Sequence, residues 1–181
     1  MYSIPVTEER CVIRGNMNRK RAGGNEFYDI LETPLGALYL VFSGYFLTGI
    51  AFAKPGGLVM KTNEETEAVK RELIEYFEKG RRDFTCRTSF LEGTDFEREV
   101  WNALKEVPYG ETRTYKWMAE KVGKPHAFRA TGNALGKNPI PIIFPCHRII
   151  ESDGSIGGYS SGIDIKRRLL EIEYYTKLSK S

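Results

Sequence analysis

Apolar positions change their spacing several times along the chain. Phe27–Leu31, Leu38–Phe42 and Leu47–Ala53 are short runs rich in aromatic and aliphatic residues. They are separated by Thr33-Pro34-Leu35-Gly36 and Ser43-Gly44-Tyr45, and Lys54-Pro55-Gly56-Gly57 ends the last. Runs of this length, bounded by Pro, Gly and Ser, predict three strands joined by tight turns. Between Glu64 and Lys79 the residues Val69, Leu73, Ile74 and Phe77 fall on a helical stripe. Arg82–Cys86 is expected as a short last strand. The first half is thus a small antiparallel sheet with a helix on one face.

The pattern becomes wholly helical after Gly93. Thr94-Asp95-Phe96-Glu97 has the form of a capping box, with a Thr N-cap and Glu at the third helical position. Phe96, Val100, Trp101, Leu104 and Val107 then share one face, and Pro108-Tyr109-Gly110 stops the helix. A second helix is expected over about 114–121, ended by Gly123, and a third over about 127–135 after Lys124-Pro125. Two short helices across a tight turn make a helix-turn-helix candidate. Glu151–Gly162, rich in Gly and Ser, is expected as a loop or wing. A last helix over about 163–175 carries Ile165, Leu169, Leu170 and Ile172. The expected fold is α+β, divided into a loose segment 1–25, a sheet-and-helix domain 26–92 and a helical domain 93–181.

Composition narrows the class. The 181 residues carry 41% hydrophobic and 28% charged side chains, as ordinary globular proteins do. The N-terminus lacks the apolar run of a signal peptide and no stretch is long enough to span a bilayer, so a cytoplasmic protein without a membrane partner is expected. Three scattered cysteines and two histidines, with no CxxC spacing, offer neither a disulfide framework nor a closed zinc site. No metal and no cofactor are expected. The net charge of +3 lies wholly in residues 93–181, which hold 14 basic and 11 acidic residues against 13 of each in residues 1–92. This is compatible with a polyanionic partner and equally with a solvated surface.

The strongest chemical signal is Ile140-Pro141-Ile142-Ile143-Phe144-Pro145-Cys146-His147-Arg148. A thiol in an apolar run is ordinarily inert, and a neighbouring base or cation is what makes it a nucleophile. Pro145-Cys146-His147-Arg148 resembles the signature of the O6-alkylguanine–DNA alkyltransferases. Asn138-Pro139-Ile140-Pro141 stands upstream at that family's spacing, Phe128-Arg129-Ala130 holds its finger arginine, and Tyr115 follows Gly110-Glu111-Thr112. Gly158-Tyr159-Ser160 is similar to the active-site loop, and Glu173 stands where the family has a buried acid. The resemblance covers about residues 91–175. Over residues 1–90 only the pattern agrees, with the family's ribonuclease-H-like domain.

The resemblance implies irreversible, single-turnover transfer of an alkyl group from O6-alkylguanine (or O4-alkylthymine) in double-stranded DNA to Cys146, by a monomer. It implies that His147 is the base, acting through a water and oriented by Glu173. Tyr115 donates a proton to the guanine, and Asn138 fixes the backbone around Cys146. Pro141 and Tyr159 would line the pocket, and the backbone of Cys146, Ile149 and Ser160 would meet the base edge. In an extended chain Cys146 and His147 point to opposite faces, which itself favours a water between them. On the third helix Ala127, Ala130, Thr131 and Ala134 share a face of small residues, with Phe128 and Leu135 turned toward the core. Such a face cannot read the major groove, but it can lie along a minor groove with Arg129 filling the gap left by a flipped base. The same face could instead pack against another helix. Three other readings compete: a lesion-binding alkyltransferase-like protein, which would lack the cysteine, a winged-helix regulator, and a Cys-His hydrolase, for which no oxyanion hole is marked.

Overall fold

The computed structural model describes residues 25–180. The expected segment 1–25 therefore lies, but for Asn25, outside the described residues, as does Cys11. Strands β1 (Glu26–Thr33), β2 (Gly36–Ser43) and β3 (Phe46–Ala51) form an antiparallel meander, with Leu31 opposite Leu38 and Phe27 opposite Phe42. Alternate residues of β2, Leu38, Leu40 and Phe42, point into the core.

Helix α1 (Glu64–Lys79) covers this sheet. It starts at an Asn63–Thr66 capping box and ends at Gly80 in the left-handed conformation. Asp29 of β1, buried, accepts from Thr66 at 2.7 Å and pairs with Lys70 at 2.8 Å, tying helix to sheet. The buried stripe is Val69, Leu73, Tyr76 and Phe77, whereas Ile74 is exposed. The expected stripe had put Ile74 inside, but the spacing i, i+4, i+7, i+8 selects Tyr76.

The expected strand at Arg82–Cys86 does not form. The backbone N–H groups of Thr85 and Cys86 donate to the Glu72 carboxylate on α1 and are lost to a sheet. The fourth strand is instead β4 (Val59–Met60), parallel to β1, so the sheet order is β3-β2-β1-β4.

The second half is helical. α2 (Asp95–Ala103) begins with the expected capping box, Glu97 N donating to Thr94 Oγ1 and Thr94 N to Glu97 Oε2. A 3-10 turn over Leu104–Glu106 ends it. β5 (Arg113–Thr114) leads into α3 (Tyr115–Lys121), capped by Thr114, and α4 (Phe128–Gly136) follows. β5 pairs in parallel with β6 (Ile149–Ile150), and α5 (Ile163–Leu178) closes the chain after the 151–162 loop.

One hydrophobic core runs through both halves, from Leu38 and Leu73 to Trp101, Phe144 and Leu169. Ile50 N of β3 donates to Pro139 O at 2.9 Å, which docks the sheet edge on the segment that precedes Cys146. None of the helices among the described residues is long and apolar enough to cross a membrane.

Candidate active site

Segment 138–148 has an unusual backbone because its sequence allows little else. Prolines at 139, 141 and 145 remove donors and fix φ. Ile142 sits at φ +74°, a conformation that costs a β-branched residue about 1–3 kcal/mol. It is held there because residues 140–149 are all buried. Asn138 closes the segment: its Oδ1 accepts from Ile140 N at 3.1 Å, and its Nδ2 donates to Phe144 O at 2.7 Å and to Cys146 Sγ at 3.1 Å.

Cys146-His147-Arg148 forms one 3-10 turn, not the extended chain expected. Successive side chains in such a turn are about 120° apart, so Cys146 and His147 still diverge. Cys146 Sγ reaches a cleft of about 130 Å³ bordered by Tyr115, Leu135, Tyr159, Ser160 and glycines 132, 136 and 158. Tyr159 Oη lies 3.9 Å from the sulfur. Burial pushes the thiol pKa up, while the Asn138 N–H, the Tyr159 hydroxyl and the Lys166 charge act to lower it.

His147 occupies the opposite side of the turn and is fully buried with Glu173 of α5. His147 Nε2 lies 2.9 Å from Glu173 Oε1. Arg148 donates to the same carboxylate through Nε, at 3.1 and 3.0 Å, and through Nη2 at 2.8 Å, and anchors Nη1 on Val107 O. Gly110 N and the Tyr76 hydroxyl complete the shell, at 2.8 and 2.7 Å.

Burial works to raise the Glu173 carboxyl, but His147 and Arg148 overcome it and hold it well below the usual carboxylate range. For His147 burial prevails over the carboxylate and lowers its pKa, because Arg148 already matches the Glu173 charge. The imidazole is therefore neutral at pH 7. With Nε2 spent on Glu173, Nδ1 is buried without a protein partner. Tyr115 stays protonated, its pKa raised by burial and by Glu151 and Cys146.

Several expected site residues thus meet: Cys146 and Asn138 in direct contact, His147 on Glu173, and Tyr115, Tyr159 and Ser160 around the cleft. Pro141 and Ile149 are buried and do not border the cleft. On α4 the expected groove face is divided. Thr131 and Ala134 are buried, and Trp101 Nε1 of α2 donates to Ala134 O at 2.7 Å. Of the four small residues Ala130 alone is fully exposed, with Ala127 intermediate. Helix packing claims half the stripe, and the exposed side carries Phe128, Arg129, Ala130, Asn133 and Gly136. Phe128, expected in the core, is 45% exposed.

Three residues that hold the site together were given no role by the sequence. Tyr76 and Arg148 hold Glu173, and Lys166 donates to Ile149 O at 2.6 Å and Gly158 O at 3.3 Å, pinning the 151–162 loop to the cysteine segment. Lys166 and Glu173 carried a signal: with Leu169 they form an i, i+3, i+7 stripe that puts two charges on the buried face of α5.

Residues 95–175 match the family model described as 6-O-methylguanine DNA methyltransferase, DNA binding domain. A methylated-DNA–protein-cysteine methyltransferase of Methanosarcina barkeri is 45% identical over 154 residues, covering 81% of this chain and 96% of that protein. Mycobacterium tuberculosis OGT, crystallised in complex with DNA, superposes with TM-score 0.76 at 38% identity, over 83% of this chain and 94% of that one. The O6-methylguanine-DNA methyltransferase of the hyperthermophilic archaeon Pyrococcus kodakaraensis gives TM-score 0.62 at 28% identity, over 81% of this chain and 99% of that one. The chain belongs to the methylated-DNA–protein-cysteine methyltransferase family.

Proposed function

We propose that the chain repairs alkylated DNA by moving the alkyl group of O6-alkylguanine onto Cys146, once per protein molecule. The observation that carries this reading is the pairing of a buried cysteine, held by Asn138 at the cleft, with a buried His147–Glu173 couple whose Nδ1 is unsatisfied. A buried polar atom without a protein partner calls for water. A water joining Nδ1 to Sγ carries the thiol proton to His147, and the Glu173 carboxylate, held in place by Arg148, steadies the positive charge that appears. The thiolate attacks the alkyl carbon, the carbon–O6 bond breaks with its electron pair leaving on the guanine, and Tyr115 hands the guanine a proton. Tyr115 then recovers the proton that left the thiol, so the reaction needs no external acid. A thioether is a poor leaving group, so the cysteine is spent.

The cleft is small against the ~300–1,000 Å³ of pockets that enclose whole ligands. It suits a single base turned out of the duplex, with DNA closing the opening. α4 supplies glycines 132 and 136 and Leu135 to its border, and carries exposed Arg129 on the same helix. The other long cation there, Lys137, is paired with Glu97 at 2.5 Å. Arg129 is therefore the side chain that enters the minor groove and fills the vacated stack. The small and apolar exposed face of α4 gives little base readout, so binding rests on phosphate charge and falls with salt. Every group named belongs to one chain, so a monomer suffices, and 26–92 acts as a scaffold domain for 93–181. The test is Cys146→Ala, which removes transfer from methylated duplex and retains DNA binding. Transfer by this variant contradicts the reading.

A further inference from the structure

The site is not supplied by the second half of the chain alone. Tyr76 lies on α1, is fully buried, and donates its hydroxyl to Glu173 Oε1 at 2.7 Å. That oxygen also receives His147 Nε2 and two Arg148 nitrogens, and Tyr76 Oη stands 3.5 Å from His147 Nε2. One carboxylate oxygen is thus divided among more donors than it has lone pairs, and each donor weakens its hold on the others.

We propose that Tyr76 is a positioning residue of the proton relay: by sharing Glu173 Oε1 with His147, it sets how readily His147 takes the proton of Cys146. The proposal rests on the reading of His147 as the base. Burial holds the Tyr76 phenol well above its ordinary pKa, so it remains a donor at every working pH. The groups that act on His147 are Glu173 and Lys166 from α5, Arg148 beside it, and Tyr76 from α1. Tyr109 packs edge-on against Tyr76, with ring centroids 5.6 Å apart, and lies under the Arg148 guanidinium. Tyr76 donates directly to Glu173 Oε1, and its hydroxyl can be altered without changing a formal charge or touching the reacting sulfur.

Removing the hydroxyl returns a lone pair of Oε1 to His147. The carboxylate then stabilises the imidazolium more strongly, His147 becomes more basic, and the thiolate forms at lower pH. Strengthening the hydroxyl as a donor does the opposite. The experiment measures the single-turnover rate with free O6-benzylguanine from pH 5.5 to 9.5, chosen on the order of the thiol and imidazole ranges. Four full-length proteins are compared: wild type, His147→Ala, Tyr76→Phe, and a protein with 3,5-difluorotyrosine placed site-specifically at 76. The fluorinated phenol keeps the shape of tyrosine and donates more strongly.

The expected result is a profile moved acidic by about one pH unit in Tyr76→Phe, a tenfold change in thiolate on its rising limb. The difluorotyrosine protein moves basic. A merely structural tyrosine would lower Tm and leave both profiles in place, and that result, or a shift of both in one direction, overturns the proposal. Where Tyr76→Phe does not fold, the fluorinated protein alone decides by the presence or absence of its basic shift. If His147→Ala leaves the wild-type profile unchanged, the reading of His147 as base has failed. If His147→Ala changes the profile and the Tyr76 proteins do not, only the role of Tyr76 has.

Discussion

Asn138→Ala separates the two things that Asn138 does. The side chain satisfies two backbone groups of the cysteine segment, Phe144 O and Ile140 N, and donates a third hydrogen bond to Cys146 Sγ. Both backbone atoms lie in buried residues. A buried group left unsatisfied costs about 1–3 kcal/mol, so the two together predict a loss of roughly 2–4 kcal/mol after partial relaxation. For a chain of this size that lowers Tm by about 5–15 °C.

The third bond acts on chemistry. It favours the thiolate and is the first of the influences that oppose the burial of the thiol. Its removal raises the thiol pKa by about one unit, from a hydrogen bond to a charged group worth roughly 1.5 kcal/mol. Below that pKa the rate follows the thiolate fraction, so single-turnover reaction with free O6-benzylguanine slows about tenfold near neutral pH and recovers at high pH. Asn138→Asp sharpens the test. It keeps an acceptor for Ile140 N but sets a carboxylate oxygen against both Phe144 O and the sulfur, so its Tm should fall at least as far as that of Asn138→Ala and its reaction should be slower still. A rate deficit in Asn138→Ala that is the same at every pH would show that Asn138 does not act on the thiolate.

Other substitutions test other parts of the account. His147 is buried neutral, with its folded pKa below the unfolded value near 6.5. The stability this confers is complete above pH 6.5 and declines as pH falls, by up to about 1.4 kcal/mol per pH unit. Urea midpoints between pH 8 and 5 should therefore fall more steeply in wild type than in His147→Leu, and equal slopes would contradict the neutral assignment. Arg129→Ala should slow repair of methylated duplex greatly and leave reaction with free O6-benzylguanine nearly unchanged. Equal slowing of both would instead place Arg129 in the integrity of the site. Lys166→Met frees the carbonyls of Ile149 and Gly158, so protease cleavage within 151–162 should accelerate and the free-base rate should drop several-fold. An unaltered cleavage rate would refute the pinning role.

The sequence was most legible where local chemistry decides alone. Thr94 and Glu97 specify a helix start without reference to the rest of the chain, and both bonds form. It was least legible where a distant group claims an atom. Nothing local in Arg82–Cys86 says that its N–H groups are spoken for by Glu72, more than a dozen residues away. The small residues of α4 made a face on a helical wheel, yet which side faces α2 is settled by Trp101 reaching Ala134 O. The motif around Cys146 was unmistakable by type and spacing. Tyr76 was invisible by the same route: it lay outside the expected stripe, and nothing local says that the fold brings Glu173 beside it. Arg148 stood inside the quoted motif, but its partner Glu173 is 25 positions away.

The central claim is that one sulfur, that of Cys146, accepts the alkyl group and is not regenerated. Incubation of the protein with excess duplex containing O6-methylguanine, followed by intact-mass and peptide mass spectrometry, tests it most directly. The account predicts one added methyl group per chain, located on Cys146, and repaired guanine that plateaus at one equivalent of protein. Methyl on Cys86 or Cys11, or repaired guanine that keeps accumulating beyond one equivalent, would contradict it.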